Sequence, residues 1–311
     1  MLLLNAVNLR VEYGRFVALP RFSLQLPPGS LLGLIGPNGA GKTTGLKAIA
    51  GLLPLAAGSV RVLGREVEPG NRDVMSQIGF APDTPPIYED LTVAEFLRFI
   101  GKAYRLRADL TEERTDYWLE QLWLSDRREA KIKSLSRGMR QRLTVARTLL
   151  PDPALILLDE PAAGLDPAGR VQFRKLLAEL RDQARALIVS SHILADLHEY
   201  CTHIAIMEKG RIVQFGTVAQ VVGGHDANRC LYEVTLAAAV PDVASRLAEM
   251  DGLTRIDVVG RRISFEFEHD DAAAAALLAR MLKEGLPVAR FAPVDHDLEQ
   301  AYLRTGIRQV D

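Results

Sequence analysis

Gly36-Pro37-Asn38-Gly39-Ala40-Gly41-Lys42-Thr43 sets two glycines around four residues and follows them with Lys-Thr. Backbone N–H groups in such a loop wrap phosphate oxygens, the lysine reaches the terminal ones, and the threonine hydroxyl sits on magnesium. The N–H of Thr44 extends the cradle. Further along, Leu155-Ile156-Leu157-Leu158 runs directly into Asp159-Glu160. An aspartate at that place holds magnesium through its water shell, and a glutamate beside it polarises an attacking water. Between the two lies Leu135-Ser136-Arg137-Gly138-Met139, which by its residues alone reads as a capped helix start with Ser136 as the N-cap. These residue types suit hydrolysis of a nucleoside triphosphate.

That chemistry needs particular elements around it. Residues 30–35 are a short apolar run suited to a buried strand, and residues 44–53 place Leu46, Ile49, Ala50 and Leu53 at helical spacing. Strand, glycine loop and helix would aim the helix N-terminus, with its free N–H groups and dipole, at the phosphates. The four apolar residues before Asp159 read as a strand buried on both faces of a parallel sheet. Residues 186–189 form another such run and lead into Ser190-Ser191-His192. Ligands collect at the carboxyl ends of parallel strands, so Glu160 and His192 should share one edge.

The set of motifs resembles the ATP-binding cassette (ABC) family of transporter ATP-binding subunits over roughly the first two thirds of the chain. Leu135-Ser136-Arg137-Gly138-Met139 is similar to the family's signature loop, usually Leu-Ser-Gly-Gly-Gln, and Arg140-Gln141-Arg142-Leu143 continues it into a helix. Arg137 and Met139 depart from the usual residues in a way that resembles the exporter branch. The resemblance implies that Tyr13, in Glu12-Tyr13-Gly14, stacks on adenine, and that Asp166, in Gly164-Leu165-Asp166, lies in a loop crossing between subunits. It also implies that His192 clamps the terminal phosphate and that the signature loop completes the site of a second copy or a homologue. ATP and Mg2+ follow as ligands, with Lys42, Glu160 and His192 catalytic and Thr43 and Asp159 at the metal. Residues 84–150, with helical patterns at 92–104 and 111–124, become a helical subdomain that docks a separate membrane permease. Ile87, Tyr88, Phe96 and Phe99 are candidates for that surface. The implied location is the cytoplasmic face of the membrane.

Asp83 departs from this pattern. It follows Ile78-Gly79-Phe80-Ala81-Pro82 where the family usually has glutamine, and an ionised carboxylate offers acceptors without a donor. The hypothesis is that Asp83 keeps a metal contact and alters how transport gates hydrolysis. Gly45 is a second oddity, since glycine in the first turn of a helix costs about 1 kcal/mol relative to alanine.

Composition frames these readings. The chain has 311 residues, enough for a large α/β domain and a smaller one without disulfides. A net charge of −1 gives no general attraction to nucleic acid, and Cys201 and Cys230 lack metal or redox spacing. Met1-Leu2-Leu3-Leu4 reads as the beginning of a first strand and not as a signal peptide, and no apolar run approaches the roughly 20 residues that span a bilayer. Gly223-Gly224 marks a break, giving an ATPase domain over 1–224 and an accessory domain over 225–311. The latter carries 10 Lys+Arg against 15 Asp+Glu. Its order reads β-α-β-β-α-β, which suggests a ferredoxin-like α+β sandwich. The fold expectation is therefore a P-loop α/β ATPase with a helical subdomain and a small α+β unit. A soluble ABC ATPase acting on DNA or ribosomes would bring paired cassettes, coiled coils or basic extensions, so an exporter subunit is favoured; an importer subunit is the other reading. The cargo does not touch this subunit and leaves no trace in its sequence.

Overall fold

A computed structural model describes residues 2–68, 70–84, 88–191, 197, 200–223, 229–268 and 270–293. The chain separates into two units, one running to Thr217 and the other starting at Val218, a little before the Gly223-Gly224 break.

The first unit opens with a long antiparallel pair, β1 (Leu4–Tyr13) and β2 (Phe16–Leu26), followed by β3 (Leu31–Ile35), helix α1 (Lys42–Ile49), β4 (Ala57–Val62) and the short β5 (Arg65–Glu66). The one-turn helix α2 (Arg72–Met75) leads to β6 (Ile78–Ala81). Three helices come next, α3 (Val93–Ala103), α4 (Ala108–Gln121) and α5 (Arg137–Leu149). The chain then alternates through β7 (Leu155–Asp159), α6 (Pro167–Asp182), β8 (Ala186–Ser191), β9 (His203–Glu208) and β10 (Arg211–Thr217).

Two sheets result. One is antiparallel, ordered β2-β1-β4-β5; the other is ordered β10-β9-β3-β8-β7-β6 and is parallel apart from its β10 edge. Every residue of β3 and β7 is buried, as expected of strands covered on both faces. Alternation decides which face each side chain joins: Leu32, Leu34, Leu155 and Leu157 meet Leu46 and Ile49 of α1 together with Leu9, Phe22 and Leu24 of the antiparallel sheet. Helix α1 is thus held in a shared core. This also accounts for Gly45, because a Cβ there would stand 3.3 Å from the ring of Phe22, which is fully buried. A tight helix–sheet approach outweighs helix propensity at that position.

Helix α3 begins with a reciprocal cap: the N–H of Glu95 donates to Oγ1 of Thr92, and the N–H of Thr92 donates to Oε2 of Glu95. Val93, Phe96 and Leu97 are buried as the periodicity predicts. On α4, Trp118 is buried and Leu122 follows it inside, whereas Tyr117 is 46% exposed. The helical pattern at 111–124, which set Tyr117 with Trp118 and Leu122 on one face, is corrected at Tyr117, because the inward face of α4 is filled by the adjacent pair Trp118 and Leu119.

The second unit starts with α7 (Val218–Gly223) and continues β11 (Arg229–Leu236), α8 (Val243–Ala248), β12 (Thr254–Val259), β13 (Arg262–Glu268), α9 (Asp271–Lys283) and β14 (Val288–Pro293). Its sheet is ordered β12-β13-β11-β14 with antiparallel pairing throughout. Tyr232, Val234, Phe265, Leu277 and Met281 belong to its own core. Cys201 in the first unit and Cys230 in the second are buried, and burial pushes the Cys201 thiol pKa far above the usual range. Both behave as small apolar residues.

Candidate functional site

The glycine loop leaves β3 and enters α1, and its shape is fixed by what surrounds it. A Cβ on Gly36 would collide with the carbonyl oxygen of Met207 at the end of β9. The N–H of Gly210 in the β9–β10 turn donates to the carbonyl of Ala40 at 2.8 Å, and a Cβ on Gly41 would meet Leu19 of β2. The cradle is therefore backed by β2, β9 and the β9–β10 turn and is not free to sag. Lys42 is buried, and its ammonium donates to the carbonyl of Gly36 at 2.6 Å and to that of Pro37 at 3.3 Å. Burial lowers its pKa, opposed by the carboxylates of Glu160 and Asp159.

Strand order brings the distant acidic pair to the loop. β7 lies one strand from β3, with β8 between, so the carboxyl ends of all three emerge together. The hydroxyl of Thr43 donates to Oδ2 of Asp159 at 2.6 Å, and the hydroxyl of Ser190 on β8 donates to Oδ1 at 2.6 Å. Asp159 is 2% exposed, so both carboxylate oxygens depend on these partners. Ser190 also accepts from the backbone N–H of Glu160 at 2.9 Å. Glu160 has φ +48°, a left-handed conformation that non-glycine residues adopt seldom and at some cost. The backbone that aims its carboxylate is thus held by Ser190.

In the sequence Ser190 reads only as part of the approach to His192, with no role of its own. A serine at the end of an apolar strand carries no signal until topology places β8 between β3 and β7. His192 itself lies outside the described residues; Ser191, which precedes it, ends β8.

Thr43 and Asp159 offer hard oxygen donors that already converge, with the aspartate oriented by Ser190, which fits a Mg2+ ion that keeps several of its waters. Among the described residues no group of three or more His, Cys, Asp or Glu converges as a metal site. Asp83 is exposed and lines a recess with Glu89, Arg137, Arg140, Gln141 and Ala163, on the side of the signature loop.

The signature residues start α5. Ser136 is the N-cap, accepting from the N–H of Met139 at 3.3 Å, so the capped-helix reading of this stretch also holds. Ser136 and Arg137 are exposed, Met139 is half-buried, and Gly138 is buried against the 160–166 loop, where a Cβ would stand 2.7 Å from the carbonyl oxygen of Gly164. Asp166 caps α6 by accepting from the N–H of Gly169. Tyr13 ends β1 beside Phe16 across the hairpin turn; they are 50% and 68% exposed. Of the candidate docking aromatics, Phe96 is core, whereas Tyr88 and Phe99 form an exposed edge-on pair with centroids 5.4 Å apart. Ile87 lies outside the described residues.

The sequence profile described as ABC transporter matches residues 19–163. The chain is 34% identical over 232 residues to an uncharacterised ABC transporter ATP-binding protein of Synechocystis, covering 74% of this chain and 62% of that protein's length. It is 33% identical to the Nod factor export ATP-binding protein I of Cupriavidus metallidurans, covering 71% of this chain and 73% of the relative. Over nearly the whole length, 97% of each, it is 28% identical to the linearmycin resistance ATP-binding protein LnrL of Bacillus subtilis. Among solved structures, the ATP-binding subunit of an ABC transporter superposes with TM-score 0.66 at 31% identity, covering 70% of this chain and 91% of that one. With the loop of β3, the Asp-Glu pair of β7 and the capped signature helix in the family's order, the chain belongs to the ABC transporter family, as an ATP-binding and ATP-hydrolysing subunit.

Proposed function

We propose that this subunit powers export through a separate membrane permease by closing and opening a dimer of ATPase domains around ATP. The observation that carries the reading is the linked set Thr43–Asp159–Ser190, with Lys42 and Glu160 on either side. Gly36, Pro37 and Asn38 open the ATP-binding loop, and Lys42 with the backbone from Gly39 through Ala40, Gly41 and Thr43 to Thr44 stabilises phosphate charge. Glu160 orients water and takes its proton. Tyr13 stacks on adenine, and His192 clamps the terminal phosphate. Mg2+, when bound through Thr43 and Asp159, neutralises charge on the phosphate oxygens. Ser136, Arg137, Gly138 and Met139 face the nucleotide of the opposite subunit, which makes ATP a ligand of the dimer, and Asp166 lies at the crossing loop. The hypothesis that Asp83 adds a metal contact is kept for the ATP-bound dimer. Export follows the named relatives, whose printed roles are Nod factor export and linearmycin resistance. No helix among the described residues is long and apolar enough to cross a membrane, so the membrane location belongs to the complex with the permease. The unit from about 225 onward serves as an accessory domain.

Glu160→Gln tests this reading. Tagged Glu160→Gln protein, extracted from gently solubilised membranes with ATP and Mg2+, is expected to bind ATP, form a stable dimer by light scattering, hydrolyse slowly and carry a stoichiometric polytopic membrane protein. Normal turnover would overturn Glu160 as the base; ribosomal proteins or nucleic acid in place of a membrane partner would overturn the transport reading.

A further inference from the structure

Asp83, after β6, and Arg137, at the start of α5, are remote in sequence, yet both line one recess of about 470 Å³. Glu89, Arg140 and Gln141 contribute its other long polar side chains. Two of the charges there are committed. Arg140 donates to the Glu89 carboxylate at 3.0 Å, and to the carbonyls of Leu135 and Lys133 at 3.1 and 2.9 Å. Among the described residues neither Asp83 nor Arg137 forms an ion pair or a side-chain hydrogen bond.

Gln141, one turn into α5, supplies an independent observation. It is 6% exposed, and its side-chain amide nitrogen is buried without a hydrogen-bond partner. A buried donor left unpaired is costly, so an acceptor is wanted where Gln141 meets the recess. Arg137 cannot supply one, because a guanidinium only donates. Its stem is set against the loop after Glu160, with Cγ and Cδ 3.4 Å from the position that a Cβ on Gly164 would take.

Charge identifies the acceptor. A free anion entering the recess would meet the carboxylates of Asp83 and Glu89, and a free cation would meet Arg137. Asp83 is the uncommitted carboxylate of the lining, acceptor-only when ionised, and its exposed side chain can change rotamer. One carboxylate has lone pairs for a guanidinium and an amide together, and the bond to the guanidinium is charge-assisted. We propose that, in the nucleotide-free subunit, Arg137 and Gln141 hold the Asp83 carboxylate in this recess. Both are then positioning residues that act through Asp83, and the segment after β6 is tied to the start of α5. The proposal rests on the reading of Asp83 as a metal contact of the ATP-bound dimer; what it adds is where Asp83 is held before ATP arrives.

Nuclear magnetic resonance of the full-length, nucleotide-free chain carrying isotopically labelled arginine is the test. The Arg137 Nε–H signal, identified by its loss in Arg137→Lys, should exchange slowly with water. Asp83→Asn should speed that exchange at least fivefold and Gln141→Leu at least twofold, while Asp83→Glu, which keeps the carboxylate, should stay close to the parent. An unchanged rate in Asp83→Asn, or acceleration by Glu89→Gln in its place, would overturn the proposal. A separate titration addresses the reading beneath it: the Mg2+ needed for half-maximal ATP binding by the Glu160→Gln chain should rise at least threefold when Asp83→Asn is added. No rise, with the pairing seen in the free chain, would remove Asp83 from the metal and leave the pairing standing.

Discussion

Ser190 shows how one hydroxyl can set a reaction site. It holds Oδ1 of Asp159 and the N–H of Glu160 at once, joining the carboxylate proposed to face the metal to the backbone of the glutamate proposed to activate water. Ser190→Ala leaves a buried carboxylate oxygen without its partner, a cost of about 1–3 kcal/mol, and frees Glu160 from its left-handed backbone. The expected result is a fall in kcat of roughly ten- to a hundredfold, with ATP affinity within a few-fold of the parent; an unchanged kcat would remove Ser190 from the positioning role. Gly45 makes an opposite point, that an odd residue need not be functional. Gly45→Ala gains about 1 kcal/mol of helix propensity but sets a methyl 3.3 Å from the immobile ring of Phe22, and overpacking costs about 1–3 kcal/mol. Urea denaturation should show net destabilisation of about 1 kcal/mol, and a stabilised variant would mean that the ring yields.

Helices α3, α4 and α5 carry the signature loop, and their mutual order rests on charges as well as on apolar packing. Glu112 of α4 accepts from Arg98 of α3 and from Arg128 beyond α4. Its carboxyl is held below the ordinary glutamate range, first by the Arg98 hydrogen bond. A depressed folded pKa contributes stability that is fully present above the unfolded value, about 4.3, and is lost as pH falls through the folded one. Glu112 is 39% exposed, so the contribution is screened to at most about 1 kcal/mol. The stability difference between the parent and Glu112→Gln should therefore shrink between about pH 6 and pH 3 in denaturant melts. A difference that is constant with pH would show that packing, not charge, holds α3 to α4. Lower on the same subdomain, a Cβ on Gly138 would stand 2.7 Å from the carbonyl oxygen of Gly164, so the start of α5 and the loop after Glu160 lie close together.

At the scale of the whole molecule, the chain is built from units with separate cores. The unit from Val218 encloses Tyr232, Phe265 and Phe291 in one aromatic group and has a complete four-stranded sheet. Residues 218–311 expressed alone should fold cooperatively, as a domain with its own core does, with a sigmoidal thermal transition by circular dichroism. A non-cooperative melt would make this unit dependent on the ATPase domain.

Much of this was legible in the residues. The glycine loop, the Asp-Glu strand end, the buried runs of β3, β7 and β8 and the order of the second unit are local patterns, and local patterns fix local structure because strand and helix periods differ. Tertiary structure decided the rest. The path of β8 between β3 and β7 gave Ser190 its two partners, the approach of Phe22 explained Gly45, and one recess brought Asp83 together with Arg137 and Gln141. Charge pairing, close backbone approach and the shape of a recess depend on distances between segments remote in sequence, and a sequence pattern contains no such distance.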